Sequence, residues 1–452
     1  MNIRRLYLFP KGIRGFAAKD FIWYSCMLCA RPRTQHARTP NIISQSSHLL
    51  NRYCRLIMLA FACWTLIPFA RGQDPDSPAG EIPAAETAPA RLQVKGYMKN
   101  LQTWIFLKTG HPYQFLQDGL LHQRTNFRYT PGPRWQLAAD FRTRAFFGDL
   151  VKQQPGYADG VENTVNDIAD LSLVLLERPS WVVHTMLDRL YAEYSYEKWE
   201  IRLGRQRINW GISTVWNPND IFNAFAFTDF DYEERPGSDA VRVRYFSGFA
   251  SSVEVAVKAF DRWEEAVAAG LWKFNFREFD IQVLAGYARQ DLVLGAGWAG
   301  NLGNAGIKGE FSYFSPLKQT GKAAFALTAA VDYSTSRNLY MQAGYLYNSL
   351  GAFRGAPGGI FNFQLSAKNL YPYRHALFGQ ASYPFTPLLN GGIAIIYSPV
   401  EARALFLNPV LTISAAADWD LDLVGQIVAG RDDSGGFNSL LQAIFIRTKF
   451  SF

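Results

Sequence analysis

From Leu92 to Phe452 this sequence alternates. In SVEVAVKAF, Val253, Val255, Val257 and Ala259 take one side, and Glu254, Ala256 and Lys258 the other. FALTAAVDYS sets Phe325, Leu327, Ala329, Val331 and Tyr333 against Ala326, Thr328, Ala330, Asp332 and Ser334. DWDLDLVGQI sets Trp419, Leu421, Leu423 and Ile427 against Asp418, Asp420, Asp422 and Gln426. A period of two marks a strand with one apolar and one wet face. About eighteen such runs of ~10 residues follow one another between Gly, Pro, Asn or Asp turns, and no helical period competes.

So many half-apolar strands have few places to go. A soluble sandwich of this length would use fewer strands and divide into domains, yet no linker interrupts residues 92–452. A bilayer satisfies no backbone polar group, so a sheet inside it must close on itself. Outward residues then meet lipid and inward residues face water. The expected fold is all-β: a transmembrane antiparallel β-barrel of about 16–18 strands over residues 92–452.

The last stretch, LLQAIFIRTKFSF, continues the pattern to the final residue. Phe452, Phe450, Thr448, Ile446 and Ile444 share one face; Ser451, Lys449, Arg447 and Phe445 share the other. This ending resembles the C-terminal signal of bacterial outer-membrane proteins. The resemblance implies that Phe450 and Phe452 are read by the barrel-assembly machinery, and that the terminal strand closes the barrel.

The basic character of the chain, a net +8, belongs to its front. Residues 1–72 hold eleven of the 46 Lys/Arg and one of the 38 acids, which leaves 35 against 37 in the remainder. Nothing downstream reads as a nucleic-acid patch. All four cysteines (Cys26, Cys29, Cys54 and Cys63) precede residue 73, which excludes a disulfide framework, a thiolate metal site and a Cys nucleophile from the body. Residues 51–72 read as a signal peptide: Arg52 and Arg55, an apolar run from Leu56 to Ala70, then small residues. Residues 1–50 read as an N-terminal extension upstream of the true start, and 73–91 as a Pro/Ala-rich periplasmic linker. Export by a cleaved signal places the barrel in a bacterial outer membrane.

The least regular stretch is 201–246. Ile201 and Leu203 face outward with Arg202 inward, and unbroken alternation would put Arg205 and Arg207 into lipid at ~2–4 kcal/mol each near the midplane. Either Gly204 permits a bulge or the strand leaves the membrane there. About 30 residues without a clean period follow, and loops that long are functional or disordered. Their aromatics (Trp210, Trp216, Phe222, Phe225, Phe227, Phe230 and Tyr232) argue for order. The long loop, 205–239, carries Asp229, Asp231, Glu233, Glu234 and Asp239, and Arg202, Arg205, Arg207, Arg242 and Arg244 flank it. One reading folds the loop into the lumen, with its acids facing bases on the wall, so that it constricts a pore. The other is an exposed loop with ordinary ion pairs.

Within it, GRQRINWG followed by NPND resembles an element, G-R-Q-x-[IV]-N-W-G then N-P-x-D, of uncharacterised Gram-negative outer-membrane proteins with porin-like barrels. Gly204, Arg205, Gln206, Asn209, Trp210, Gly211, Asn217, Pro218 and Asp220 match it. A second charged patch is expected where Asp418, Asp420 and Asp422 face Arg447 and Lys449 across adjacent strands.

Signs of chemistry are absent. GAGWAG (Gly295, Gly297, Gly300) is followed by a turn and another strand, so it is a strand with a Gly-lined inner face rather than a dinucleotide site. DFDYEE has Glu234 where a calcium loop needs Gly. No hydrolase, zinc-protease or phosphate-loop motif occurs, and no catalytic, cofactor or metal residue is assigned. The expectation is a porin-like channel, not an enzyme, passing small hydrophilic solutes by diffusion, with lipid around it and a homo-oligomer left open. An export barrel for polysaccharide or lipid is the alternative, and an outer-membrane lipid-modifying enzyme a third reading.

Overall fold

Pleating turns the alternation into strands. The computed structural model describes residues 92–108, 114–163, 167–224, 231, 236–318, 321–353, 363, 365–431 and 435–452. The extension, signal and linker segments lie outside these residues. The chain runs β1 (Leu92–Leu107), β2 (Gln114–Gly132), β3 (Trp135–Gly148), α1 (Asp149–Gln153), α2 (Tyr157–Asn163), β4 (Ser172–Arg178), β5 (Trp181–Tyr196) and β6 (Trp199–Gln206). After the long loop come β7 (Ser238–Gly248), β8 (Ser251–Lys258), β9 (Val267–Phe276), β10 (Phe279–Ala288), β11 (Asp291–Leu302), β12 (Ala305–Pro316) and β13 (Ala324–Ser334). The last six are β14 (Tyr340–Asn348), β15 (His375–Thr386), β16 (Leu389–Tyr397), β17 (Leu405–Ala416), β18 (Trp419–Arg431) and β19 (Phe437–Ser451).

Pairing is antiparallel throughout and follows chain order, and β19 returns to β1, from Tyr97↔Ser451 to Leu107↔Leu441. Closure leaves no open sheet edge, as a bilayer demands. β4 is not part of the ring. β3 pairs directly with β5, and β4 runs along β5 only from Trp181 to Met186, where β6 has already ended. The closed barrel therefore has eighteen strands. At the seam, Gly96 N–H donates to the Phe452 carbonyl (2.8 Å) and Phe452 N–H to the Gly96 carbonyl (2.9 Å). The Phe452 ring occupies the space a Cβ on Gly96 would need. The terminal aromatic thus locks the seam.

Short turns lie at the end that carries both termini of the barrel; the longer connections lie at the other. Outward aromatics pair near both ends. Trp135–Tyr194, Trp199–Tyr245 and Trp419–Phe450 mark the short-turn rim, and Phe106–Phe115 and Phe147–Trp181 the opposite rim. Between them exposed side chains such as Leu203, Leu294 and Val255 form an apolar band. Two interfacial girdles around such a band are what a lipid-embedded barrel needs.

Strand length is uneven, unlike the uniform ~10 residues expected of a crossing. β1, β2, β3 and β5 run 14–19 residues, whereas β6 and β8 have 8. The low side of the wall is where the long loop leaves it. The lumen is not empty: buried apolar clusters join the inner faces of β7–β19 to the loop's Ile208, Trp210, Trp216, Ile221 and Phe222. A third joins α1 and α2 (Val151, Ala158, Val161) to Phe146 and Val182 on β3 and β5.

Candidate functional site

The loop begins at the matched motif. Gly204 sits at φ 117°, where a Cβ would strike the Leu190 carbonyl oxygen. The strand nonetheless stays in register through it, with Leu203↔Val241, Gly204↔Ala240 and Arg205↔Asp239, so there is no bulge and β6 ends two residues later. Arg205 keeps the outward phase of Leu203. Its charge is met by Asp239, with both contacts at 2.8 Å, and its Nη2 also donates to the Ala169 carbonyl (2.5 Å). The guanidinium is 2% exposed. Arg205 and Asp239 are thus a buried pair at the loop's root rather than pore lining, a correction to the constriction set. The pair explains how the arginine is tolerated: an ion that cannot reach water needs a partner and filled hydrogen bonds. Gln206 Nε2 then donates to the Ala240 and Arg202 carbonyls (3.0 and 3.1 Å), which clamps the strand end.

Beyond Gln206 the chain crosses the inner faces of β8–β14. Trp210 Nε1 donates to Glu254 Oε1 (2.7 Å), and the Trp210 carbonyl accepts from Gln282 Nε2 (2.6 Å). Ser213 N–H donates to the buried Glu310 (3.1 Å). Thr214 Oγ1 accepts from Gln342 Nε2 and Lys308 Nζ. Trp216 packs edge-on against Tyr371 and Phe378. The chain then reverses in a turn, Asn217–Asp220, closed by Asp220 N–H to the Asn217 carbonyl (3.1 Å) with Pro218 second, the usual chemistry of such a turn. Ser312 Oγ ties the turn down through the Pro218 carbonyl (2.9 Å) and Asn219 Oδ1 (2.7 Å). Asn219 Nδ2 donates to the Ala296 carbonyl (3.0 Å). Gly295 and Gly297 point inward beneath it: side chains there would meet Asn219 and Ile212. The Gly-lined face of β11 is a seat for the loop, and the motif residues anchor it.

The opposite wall, β2–β7, is faced with charge. A register shift between Asp140 and Phe141 makes Asp188 an extra residue on β5, so Asp188 and Arg189 are both buried there. Asp188 accepts from Arg124 Nη1 (2.6 Å), with Arg142 at 3.5 Å and Arg189 at 3.7 Å. Asp140 holds Arg124 (2.9 Å) and Arg128. Nearer the short turns Arg202 pairs with Glu193, Arg242 with Glu200, and Arg244 with Glu254 (2.5 Å). His122, Arg144 and His184 lie in one row across β2, β3 and β5, with Lys99 beside His122. Bases outnumber acids along this wall.

Asp231 reaches the seam. Its Oδ1 accepts from Lys99 Nζ (2.8 Å) on β1 and Arg447 Nη1 (3.2 Å) on β19, and Arg447 Nε is also held by Asp422 (2.9 Å). The expected patch on the last two strands is therefore present. Asp422 pairs with Arg447, and Asp420, opposite Lys449 in register, accepts from Ser414 Oγ (3.0 Å). Asp418 lies in the turn before β18. Asp229, Glu233 and Glu234 lie outside the described residues. Of the flanking arginines, Arg202, Arg242 and Arg244 pair with Glu193, Glu200 and Glu254 on the wall itself, as charged cross-strand neighbours do. Arg207 is half-buried where the loop departs. Sequence reasoning missed Lys99, Arg124, Arg142, Asp188 and the loop's wall partners Glu254 and Glu310. Glu254 was visible as the inward acid of an alternating run; Asp188 was hidden by its bulge. Outside the strands, burial pushes the Tyr371 and Tyr373 phenols well above their ordinary value, so both stay neutral beside the loop.

No protein-family model matches this chain, and no curated protein sequence does. Solved structures do match in fold. Pseudomonas aeruginosa OccK5 (OpdH) superposes with a TM-score of 0.51 at 9% identity, over 79% of this chain and 98% of that one. Pseudomonas aeruginosa OccK11 (OpdR) gives 0.50 at 9% identity, over 80% and 96%. Acinetobacter baumannii OccAB3 gives 0.51 at 10% identity, over 79% and 99%. At such identity the likeness establishes the barrel fold.

Proposed function

We propose that the chain is an outer-membrane channel of porin type for small hydrophilic solutes, and that it favours anions. The observation that carries this is the asymmetry of the lumen. The 207–223 segment is fastened to one wall, Asp231 spans to the seam, and the passage left runs along the arginines of β2–β7. Rings and rows of fixed charge at a narrowing select by sign. Arg124, Arg128, Arg142, Arg144, Arg189 and Arg242 outweigh Asp140, Asp188 and Glu200 along that path. The solute passes by diffusion; the reading assigns the chain no reaction, cofactor or metal.

The loop is the constriction, and the motif Gly204–Asp220 is its anchor, a role that fits a recurring element in barrels of this kind. Residues 51–72 act as the export signal and 73–91 as the periplasmic linker. The terminal strand ending in Phe450 and Phe452 is what the assembly machinery reads.

The test is single-channel recording in a planar bilayer under a salt gradient. Discrete steps with an anion-selective reversal potential are expected. Asp231→Asn removes the one described loop acid at the seam and shifts selectivity further toward anions. A silent bilayer, with the barrel shown folded by its heat-dependent gel mobility, rules the channel out.

A further inference from the structure

Glu254, on β8, stands where the two inner walls meet and touches both. Its two oxygens are divided between them. Oε1 accepts from the loop's Trp210 Nε1 (2.7 Å), and Oε2 accepts from Arg244 Nε (2.7 Å) and Nη2 (2.5 Å) on β7. The three side chains differ in access. Trp210 is 1% exposed, with its ring edge-on to Phe222 and its carbonyl held by Gln282. The Glu254 side chain is 3% exposed and that of Arg244 28%. The guanidinium is therefore the member of the trio that a solute in the lumen reaches.

The carboxylate has a second cation in reach. Glu254 lies opposite Leu271 in register, and Lys273 is the next inward residue of β9, diagonal to it. Long side chains meet across such a diagonal. Lys273 is exposed and, among the described residues, has no ion-pair partner. The adjacent Arg242 is already taken by Glu200, which also lies 3.9 Å from Arg244.

We infer that Glu254 couples solute to loop: an anion bound by Arg244 releases the carboxylate to Lys273, and Trp210 loses its anchor. The inference rests on the channel reading and names a regulation of the same lumen. Arg244 is what holds a buried carboxylate beside the indole. A carboxylate deprived of its cation is costly to keep buried, and Lys273 offers another toward the lumen. The Trp210 N–H left behind lies in an apolar cluster with Ile208, Ile221 and Phe222. A buried donor without an acceptor is costly in turn, so the seat weakens as the anion arrives. Coupling of this kind is reciprocal: a firmly seated loop holds Arg244 on Glu254 and lowers its affinity for the anion. Glu254 is thus a positioning residue, acting on the passage through Trp210 rather than by touching solute.

Fluorine NMR of the full chain, labelled with fluorotryptophan and folded in detergent micelles, tests it. Trp210→Phe identifies the Trp210 signal, and Glu254→Ala gives its position when the anchor is gone. Inorganic phosphate is the probe. Phosphate is expected to move the unsubstituted chain's signal toward its Glu254→Ala position, with the released population rising about fivefold, the low end of ordinary coupling. Arg244→Gln and Lys273→Gln feel the same ionic strength and should not respond. A signal that phosphate leaves in place in the unsubstituted chain overturns the inference, as does an equal response in either variant. Heat-dependent gel mobility reports folding, and Lys273→Met stands in if Lys273→Gln fails to fold. No current is needed for this readout. A silent bilayer with a responding signal overturns the channel reading alone; a conducting channel with an unmoved signal overturns the coupling alone.

Discussion

The inner wall of β2–β7 and that of β8–β14 share one pleat and one alternation, yet differ in what they carry. The first presents arginines clasped by carboxylates. The second presents Ala256, Ala269, Gly295, Gly297, Ala324 and Ala326, with charges spaced among them at Glu254, Asp291, Lys308, Glu310 and Asp332. Small residues leave depth for a second layer of chain, and the loop fills it. Large guanidinium groups take that depth themselves: Arg124, Arg142 and Arg189 are buried against Asp140 and Asp188, while Arg128 and Arg244 keep 29% and 28% of their side chains exposed. One wall seats the loop, and in the proposed channel the other is the surface that solute meets.

The comparison breaks most sharply if the seat is destroyed. Trp210→Ala removes a fully buried indole and leaves Glu254 without its loop partner. Emptying such a site costs about 3–5 kcal/mol, here taken from the loop's anchorage. The expected outcome is a larger, noisier conductance with weaker anion preference while the barrel stays heat-modifiable. Unchanged single-channel steps would mean that the loop does not set the bore.

The charged wall has its own keystone. Asp188→Ala withdraws the carboxylate shared by Arg124, Arg142 and Arg189. An uncompensated buried charge costs about 3 kcal/mol or more. We expect a lower unfolding temperature in detergent, together with a stronger preference for anions. The two effects should part at high salt, since screening weakens the selectivity but not the loss of packing. Gly297→Val attacks the seat from below, because its side chain meets Ile212 Cδ1. Overfilling costs about 1–3 kcal/mol, and the loop should lift toward the charged wall and lower the conductance, the reverse of Trp210→Ala.

How much of this was open to sequence reading follows from distance along the chain. Alternation, closure by Phe452 and the Asp422–Arg447 pair were legible because pleat period and neighbouring register are local properties. The Gly-lined face of GAGWAG was legible too, although its occupant was not. Arg124 and Asp188 are 64 residues apart, Lys99 and Asp231 132, and Arg447 and Asp231 216. Such pairs depend on the barrel's curvature, which no local pattern encodes. Asp188 was further masked because its bulge turns two successive residues inward. The arginines flanking the loop were found by alternation, but their partners were left open: Arg205 meets the loop's Asp239, whereas Arg202, Arg242 and Arg244 meet wall carboxylates that the register brings near.

The mildest change sharpens the comparison most. Arg202 lies toward the short-turn end of the charged wall, paired to Glu193 and stacked 4.6 Å from the Tyr191 ring centroid. Its side chain is 19% exposed and that of Glu193 15%, so Arg202→Gln should cost little stability, about 1 kcal/mol or less. The variant does change the sign of the local field by leaving Glu193 and Glu200 to face the passage. If solute travels along this wall, the reversal potential should move measurably toward cations with the bore unchanged. The equivalent neutralisation on the seat side, Lys308→Gln, should leave it where it was, since Lys308 lies on the wall that the loop covers and donates to the loop's Thr214. Equal shifts from the two variants would mean that the lumen averages its charges, and that the two walls differ in packing alone.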